Sequence, residues 1–205
     1  RLPRAYHSGD SAELEWILER LGTSYAAGIS LGGNVLLKYL GERSNRTPLR
    51  RAVAVSAPID LAAAGAALDR GVNRRLYTRM FLVTLKAKAF AKIALGQLAL
   101  DERHLARVRT LHEFDDLVTA PLHGFRDADD YWARASSRPW LPGIAVPTLL
   151  INARNDPFLP AAALEGLGEL PASVVLEFPR AGGHAGFPGG AQWLARRVLD
   201  FLCAP

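Results

Sequence analysis

Ser24-Tyr25-Ala26-Ala27-Gly28-Ile29-Ser30-Leu31-Gly32-Gly33 runs from an apolar segment through a glycine-rich bend into a helical pattern, Gly33 to Leu40. The order is strand, sharp turn, helix, with a serine between two glycines at the bend. A serine at such a turn is held in a strained backbone conformation, with its hydroxyl lifted out of the sheet. Gly28 and Gly32 lack Cβ atoms, so the reading expects both of them to let strand and helix approach closely. Leu31, the residue after the serine, would offer its N–H at the helix start, where a developing oxyanion can be stabilised. Gly-x-Ser-x-Gly also occurs as an ordinary glycine-rich turn, so Ser30 needs partners before it reads as a nucleophile.

A serine hydroxyl reacts only when a base takes its proton, and a carboxylate commonly orients that base. Two later segments supply the residue types. Val146 to Ala153 is short, apolar and β-branched, the composition of a buried strand. It leads into Arg154-Asn155-Asp156-Pro157-Phe158, which puts Asp156 on a tight loop at the strand's carboxyl end. Ser173 to Phe178 reads as another strand, followed by Arg180-Ala181-Gly182-Gly183-His184-Ala185-Gly186-Phe187, so His184 sits on a glycine-rich loop. Asp-Pro is in itself a common turn former, and a histidine between glycines can be a plain loop residue. His7, His104, His112 and His123 follow no late strand and read as surface or packing residues. Asn155 cannot replace Asp156 as the acid, because a neutral amide does not stabilise an imidazolium. The order Ser30, Asp156, His184, each at a strand end, is what makes the set informative.

These residues resemble the α/β-hydrolase superfamily, and the wording of the segments resembles its YheT-like branch, which includes eukaryotic α/β-hydrolase-domain lipid esterases. The resemblance rests on Tyr25 to Asn34, on Phe114-Asp115 with Thr119 and Gly124-Phe125, on Asn152-Ala153 with Asp156-Pro157-Phe158, and on Gly182-Gly183-His184 with Gly186-Phe187. It covers the chain from about Arg4 to Leu202. It implies Ser30 as nucleophile, Asp156 as acid and His184 as base. The family often carries two consecutive acids where this chain has Asn155-Asp156, and the following Pro157-Phe158 favours the second position. Phe158 and Phe187 flank the expected site and could line it. A carboxylate nucleophile of the dehalogenase type is disfavoured by the serine at the bend.

At 205 residues the chain is one domain's worth, with 49% hydrophobic residues and a mean hydropathy of +0.05, as in a globular protein. The single cysteine, Cys203, gives no disulfide framework, and neither Cys-x-x-Cys nor His-Glu-x-x-His occurs, so no metal or other cofactor is expected. The net charge of +5 and a pI near 9.7 come largely from arginines scattered along helices. No nucleic-acid-binding signature accompanies them, so nucleic acid is not expected as a partner. An anionic substrate or a peripheral contact with a membrane surface fits the charge as well. The cytoplasm is the default compartment.

Strands near residues 25, 53, 149 and 175 alternate with helices, the pattern of a parallel sheet covered on both faces. Asp10 or Ser11 should cap a helix to about Leu21, with Leu14, Trp16, Ile17, Leu18 and Leu21 on its apolar face. A last helix, Ala191 to Leu202, carries Trp193, Leu194, Val198, Leu199 and Leu202 on one stripe. Nothing strand-like precedes Ser24, so the N-terminal half of an α/β-hydrolase sheet, with its second oxyanion donor, is expected to lie outside this chain. The 205 residues are then a partial domain, expected to be incompetent alone. The core would comprise residues 1–60 and 141–205, and a helical cap residues 61–140. Leu76 to Leu100 should form the cap's main helix, with Leu82, Leu85, Ala89 and Ile93 packed inward. Its lysines read first as a solvated face, and otherwise as a lid resting on anionic lipid heads. Phe81, Phe90, Phe125 and Trp132 read as core.

The expected activity is that of a serine hydrolase cleaving carboxylic esters, medium- or long-chain and lipid-like, phospholipid included. The alternatives are a non-catalytic binding or scaffold protein on the same fold, and an acyltransferase using the same three residues.

Overall fold

The computed structural model describes residues 5–187 and 189–204, which divide into two compact units. Among the described residues, one unit comprises 8–61 with 135–187 and 189–204 and holds the sheet; the other comprises 5–7 and 62–134 and is helical.

In the sheet unit, α1 (Ser11–Leu21) starts where Asp10 accepts the N–H of Glu13 at 3.1 Å and ends at Gly22, which takes the left-handed conformation with φ +60°. Only Leu18 of its apolar residues is buried. Trp16 and Leu21 are 61% and 72% exposed and Ile17 is also exposed, so the broad inward stripe expected of α1 narrows to buried Leu18 and half-buried Leu14. Four strands follow: β1 (Tyr25–Ile29), β2 (Arg51–Val55), β3 (Thr148–Ile151) and β4 (Val174–Glu177). They pair in the order β1-β2-β3-β4, every pair parallel, with Ala27 opposite Val53, Val53 opposite Leu149 and Leu149 opposite Val175. The expected parallel α/β sheet is therefore present. β2 and β3 are central and almost wholly buried, the continuous apolar burial of parallel strands covered on both faces. β1 and β4 are the edges among the described residues, and Tyr25 and Ile29 of β1 are exposed.

By the strand period of two, Val53, Val55, Leu149 and Ile151 share one face. That face packs with Ala153, Phe187 and the residues Trp193, Leu194, Val198, Phe201 and Leu202 of the C-terminal helix. α2 (Leu31–Arg43) lies against β1 and β2 and buries Val35, Leu36, Leu37, Tyr39 and Leu40. Its Asn34, fully buried, donates from Nδ2 to the carbonyls of Ser8 (2.9 Å) and Ala135 (2.8 Å), and its Oδ1 accepts the N–H of Ser137 (2.9 Å). One amide thus ties the helix that follows Ser30 to two remote chain segments, with its donors and acceptor satisfied.

In the helical unit, the expected helix over Leu76–Leu100 takes another form. Gly71–Asn73 opens it, Arg74–Thr78 widens to a π-turn, and the regular helix runs over Arg79–Ala94, before Gly96 turns the chain at φ +65°. Buried Thr78 donates to the carbonyl of Leu68 at 2.7 Å. Leu82, Ala89, Leu98, Leu105, Val108, Phe114 and Val118 form this unit's own core, with Leu85, Phe90 and Ile93 packed against it. Asp115 accepts from Thr119 Oγ1 (2.6 Å) and Trp132 Nε1 (2.8 Å), and burial pushes its carboxyl up to about 6. The Phe114-Asp115 and Thr119 wording singled out above thus belongs to the internal architecture of this unit. No helix among the described residues is long and apolar enough to cross a membrane.

Candidate active site

The carboxyl edge of the sheet is fixed by backbone bonds that continue its ladder one residue beyond each strand. The N–H of Ser30 donates to Val55 O (2.8 Å), that of Ser56 to Ile151 O (2.7 Å), and that of Asn152 to Glu177 O (3.1 Å). Ser30 therefore leaves β1 at a defined height, and it does so at φ 52° and ψ −124°, a region in which non-glycine residues are rare and strained. α2 begins at the next residue, Leu31, whose N–H has no partner four residues earlier in the helix.

The two motif glycines turn out to differ. A Cβ on Gly28 would stand 2.5 Å from Gly32 O and 2.8 Å from Gly33 Cα, so β1 and α2 meet there with no room for a side chain. A Cβ on Gly32 would meet nothing within 4 Å. The close-packing role expected of Gly32 belongs to Gly33, whose Cβ would lie 3.0 Å from Ala57 Cβ and 3.1 Å from Gly28 O. Gly32 contributes backbone to the contact and needs no missing side chain of its own.

After β3 the chain turns through Asn152 to Phe158. Asp156 is buried, with Oδ1 accepting the N–H of Phe158 at 2.8 Å in an Asx-type turn that Pro157 favours. His184 arrives from the loop after β4. Its Nδ1 lies 3.0 Å from Asp156 Oδ2 and 3.2 Å from Oδ1, and its Nε2 lies 3.0 Å from Ser30 Oγ. Hydroxyl, imidazole and carboxylate thus form one continuous hydrogen-bonded series within normal distances. The carboxylate is enclosed and the imidazole is about one-fifth exposed, so the series is closed at its acid end.

Three groups position the His184 loop. Asn155 Oδ1 accepts the N–H groups of both Gly182 and Gly183, each at 2.9 Å. Ser56, itself at φ 50° and buried, donates its hydroxyl to the carbonyl of His184. Gly182 passes so close to Ala153 and Phe187 that a Cβ there would stand 2.8 Å from Ala153 Cβ. Sequence reasoning weighs Asn155 only as a rival acid and does not single out Ser56. The signal for Asn155 was its adjacency to Asp156; Ser56 offered no signal beyond its place at a strand end.

Phe158 stacks on the imidazole of His184, ring centroids 4.2 Å apart. Phe187, expected beside it as a site wall, is 2% exposed and packs on Trp193 with ring centroids 5.5 Å apart. The sheet face under the C-terminal helix needs an apolar filler at that point, and Phe187 serves there as core.

Comparison with known proteins agrees with this architecture. Residues 3–191 match the family model described as "alpha/beta hydrolase fold". The chain is 40% identical over 215 residues to the Escherichia coli (strain K12) protein named "Putative esterase YheT", covering 98% of this chain and 63% of that one. It is 31% identical over 194 residues to a monoacylglycerol lipase of Saccharomyces cerevisiae (strain ATCC 204508 / S288c), covering 87% of this chain and 42% of that one. The chain therefore spans less than two thirds of these relatives' length. Among solved structures it superposes on an alpha/beta fold family hydrolase from Bacillus anthracis str. Sterne with a TM-score of 0.56 at 16% identity, covering 96% of this chain and 76% of that one, a likeness of fold alone. With a family model matched along nearly its whole length, on a parallel sheet bearing a strained serine at the end of its first strand, this chain belongs to the α/β-hydrolase fold family.

Proposed function

We propose that the protein is a serine hydrolase of carboxylic esters with lipid-like acyl chains. The observation that carries this reading is the Ser30 Oγ–His184 Nε2 distance of 3.0 Å with Asp156 on the far nitrogen. In the proposed mechanism His184 Nε2 takes the proton of Ser30 as Oγ attacks the ester carbonyl carbon. The carbonyl π-electrons move onto oxygen, and the Leu31 N–H donates to that oxyanion. Asp156 holds the Nδ1–H tautomer and balances the imidazolium charge. Collapse of the tetrahedral species breaks the bond to the alcohol oxygen, which leaves with the proton from Nε2. Water then repeats the sequence on the acyl-enzyme, releasing the acid and restoring Ser30. The strained backbone of Ser30 keeps its hydroxyl clear of the helix for attack.

The similarity to a yeast monoacylglycerol lipase supports an acyl ester of lipid type, and the stacked Phe158 offers an apolar surface beside the imidazole. The test is fluorophosphonate labelling of the natural full-length protein beside its Ser30→Ala variant, with mass mapping of the adduct, then turnover of p-nitrophenyl esters graded by chain length. A label on Ser30 that is absent from the variant, with octanoyl turned over faster than acetyl, is the expected result. A folded protein that takes no label overturns the hydrolase reading; preference for acetyl overturns the lipid-like substrate. Acyl transfer would show itself as a new ester in place of free acid.

A further inference from the structure

The helical unit carries a basic surface with no part in the chemistry above. Arg74, Arg75, Arg79, Lys86 and Arg109, with Gly71, Leu82, Val83 and Val108, line an open cavity of about 760 Å³ that no carboxylate lines. The sequence has no aspartate or glutamate between Asp69 and Asp101. Among the described residues, the guanidinium groups of Arg74, Arg75 and Arg79 make no ion pair.

Lys86 and Arg109 are held in place by backbone. Lys86 Nζ donates to the carbonyls of Ala106 (2.9 Å) and Val108 (2.7 Å), and Arg109 Nη1 donates to the same two at 3.1 and 3.2 Å. Two cations thus share two neutral acceptors. Burial, and next the adjacent Arg109, pull the Lys86 ammonium below its ordinary value, with Glu113 acting the other way. Excess positive charge is built into this cavity, and an anion arriving from outside would relieve it.

The same helix turns apolar side chains to solvent. Val72, Leu76, Met80 and Val83 are 67%, 59%, 57% and 67% exposed, and they recur at the spacing of one helix face. Val83 lies one turn from both Arg79 and Lys86. A soluble phosphate compound would neutralise the cations and leave this apolar ridge in water. A nucleic acid would do the same, and no aromatic ring lines the cavity to stack its bases. A bilayer with anionic head groups satisfies both halves of the surface at once.

We propose that the cationic cavity and the Val72–Val83 ridge form a docking surface for anionic phospholipid bilayers, the arginines and Lys86 on head-group phosphates and the ridge at the acyl boundary. This goes beyond the ester-hydrolase reading and does not depend on it, since binding is measured without turnover. The natural full-length protein is co-sedimented with vesicles of phosphatidylcholine alone and of phosphatidylcholine with about one third phosphatidylglycerol, at low and high salt. The expected result is partition onto the anionic vesicles, weakened by salt. The triple variant Arg74→Glu, Arg75→Glu, Arg79→Glu should lose roughly a hundredfold in partition, while Arg→Lys at the same positions retains most of it. Met80→Ser with Val83→Ser should lose about tenfold with charge unchanged. Reversing Arg20, Arg46 and Arg50, exposed arginines of the sheet unit, should leave more binding than the Arg74–Arg79 triple does. Equal loss in the two reversal sets reduces the effect to overall charge and overturns the site. So does no binding to anionic vesicles. Retention by the serine pair, or full displacement by millimolar pyrophosphate, reassigns the cavity to a soluble anion and equally overturns the proposal. Fluorophosphonate labelling of Ser30 in each variant separates loss of docking from loss of the site described above.

Discussion

Replacing Gly28 by alanine should destabilise the fold and replacing Gly32 should not, although the two occupy symmetric places around Ser30. At Gly28 the added Cβ would face Gly32 O at 2.5 Å, Gly32 C at 2.7 Å and Gly33 Cα at 2.8 Å. All three are backbone atoms of α2, so no side chain can swing aside. Relief requires α2 to shift by several tenths of an ångström. That shift would stretch the Ser30 N–H bond to Val55 O, now 2.8 Å, and load the packing of Leu36, Leu37 and Leu40. Overpacking of this kind costs about 1–3 kcal/mol, and a rigid backbone neighbour puts Gly28→Ala at the upper end. For a chain of this length that is a fall of about 5–10 °C in Tm. At Gly32 the new methyl meets nothing within 4 Å and sits in the first turn of a helix, where alanine is favoured over glycine by up to about 1 kcal/mol. Gly32→Ala should therefore leave Tm unchanged or raise it by up to about 3 °C. Differential scanning calorimetry on both variants decides the matter. A Gly32→Ala loss as large as that of Gly28→Ala would refute the assignment of the close approach to Gly28, and with it the account of how Ser30 is presented.

Asp115 has a native carboxyl near 6 against an ordinary 3.8, so between those values the folded state holds the extra proton and stability falls as pH rises. The loss is on the order of 3 kcal/mol by pH 7. Thermal unfolding from pH 4 to 7 should show it, and Asp115→Asn, whose amide can serve both Thr119 and Trp132, should flatten the profile; an unchanged slope would refute the assignment. Asn155→Ala removes the acceptor shared by Gly182 and Gly183 and should cut kcat of the proposed ester hydrolysis about tenfold or more with KM little changed, whereas Asn155→Asp, which accepts equally well, should restore most of it; equal loss in both variants would refute the positioning role. Asn34→Leu strips three buried backbone groups of their partner and should destabilise by about 3 kcal/mol or more in urea unfolding, and a loss under 1 kcal/mol would mean those groups find other partners.

The sheet was legible because its signals are local. Val53 to Val55 and Leu149 to Ile151 are apolar runs too short for helices, and glycines or prolines bound them. Asp10, with Ser11 one of the two expected caps, starts α1, and the structure adds the left-handed Gly22 at its end. What the sequence hid is set by three-dimensional neighbours. The inward stripe of α1 looked complete by period, yet whether Trp16 or Leu21 finds a partner depends on surfaces far along the chain. Gly28 and Gly32 are equivalent in any pattern, and only the direction of each missing Cβ separates them. Phe187 beside His184 in sequence looked like a site wall, but the loop turns its ring onto Trp193.

Ser30, Asp156 and His184 can be named from order and chain position, but what holds them at 3.0 Å cannot. His184 rides on a loop with Gly183 at φ 56° and Gly182 against Ala153, a segment with little conformational preference of its own. Fixing such a loop costs about 1–2 kcal/mol of backbone entropy per residue, and three hydrogen bonds oppose that cost: two into Asn155 Oδ1 and one from Ser56 to the carbonyl of His184 itself. Ser56 and Asn155 follow β2 and β3, the two strands beyond the one that presents Ser30. The His184 imidazole is thus clamped from β2 and β3 while the Ser30 hydroxyl is presented from β1, an edge among the described residues. Ser56→Ala should consequently slow the proposed ester hydrolysis without altering which residue a fluorophosphonate labels. An Asn155→Ala, Ser56→Ala pair should lose more than the sum of the singles, because each bond limits the freedom left to the loop when the other is gone. Strict additivity of the two in kcat would mean the loop is held elsewhere.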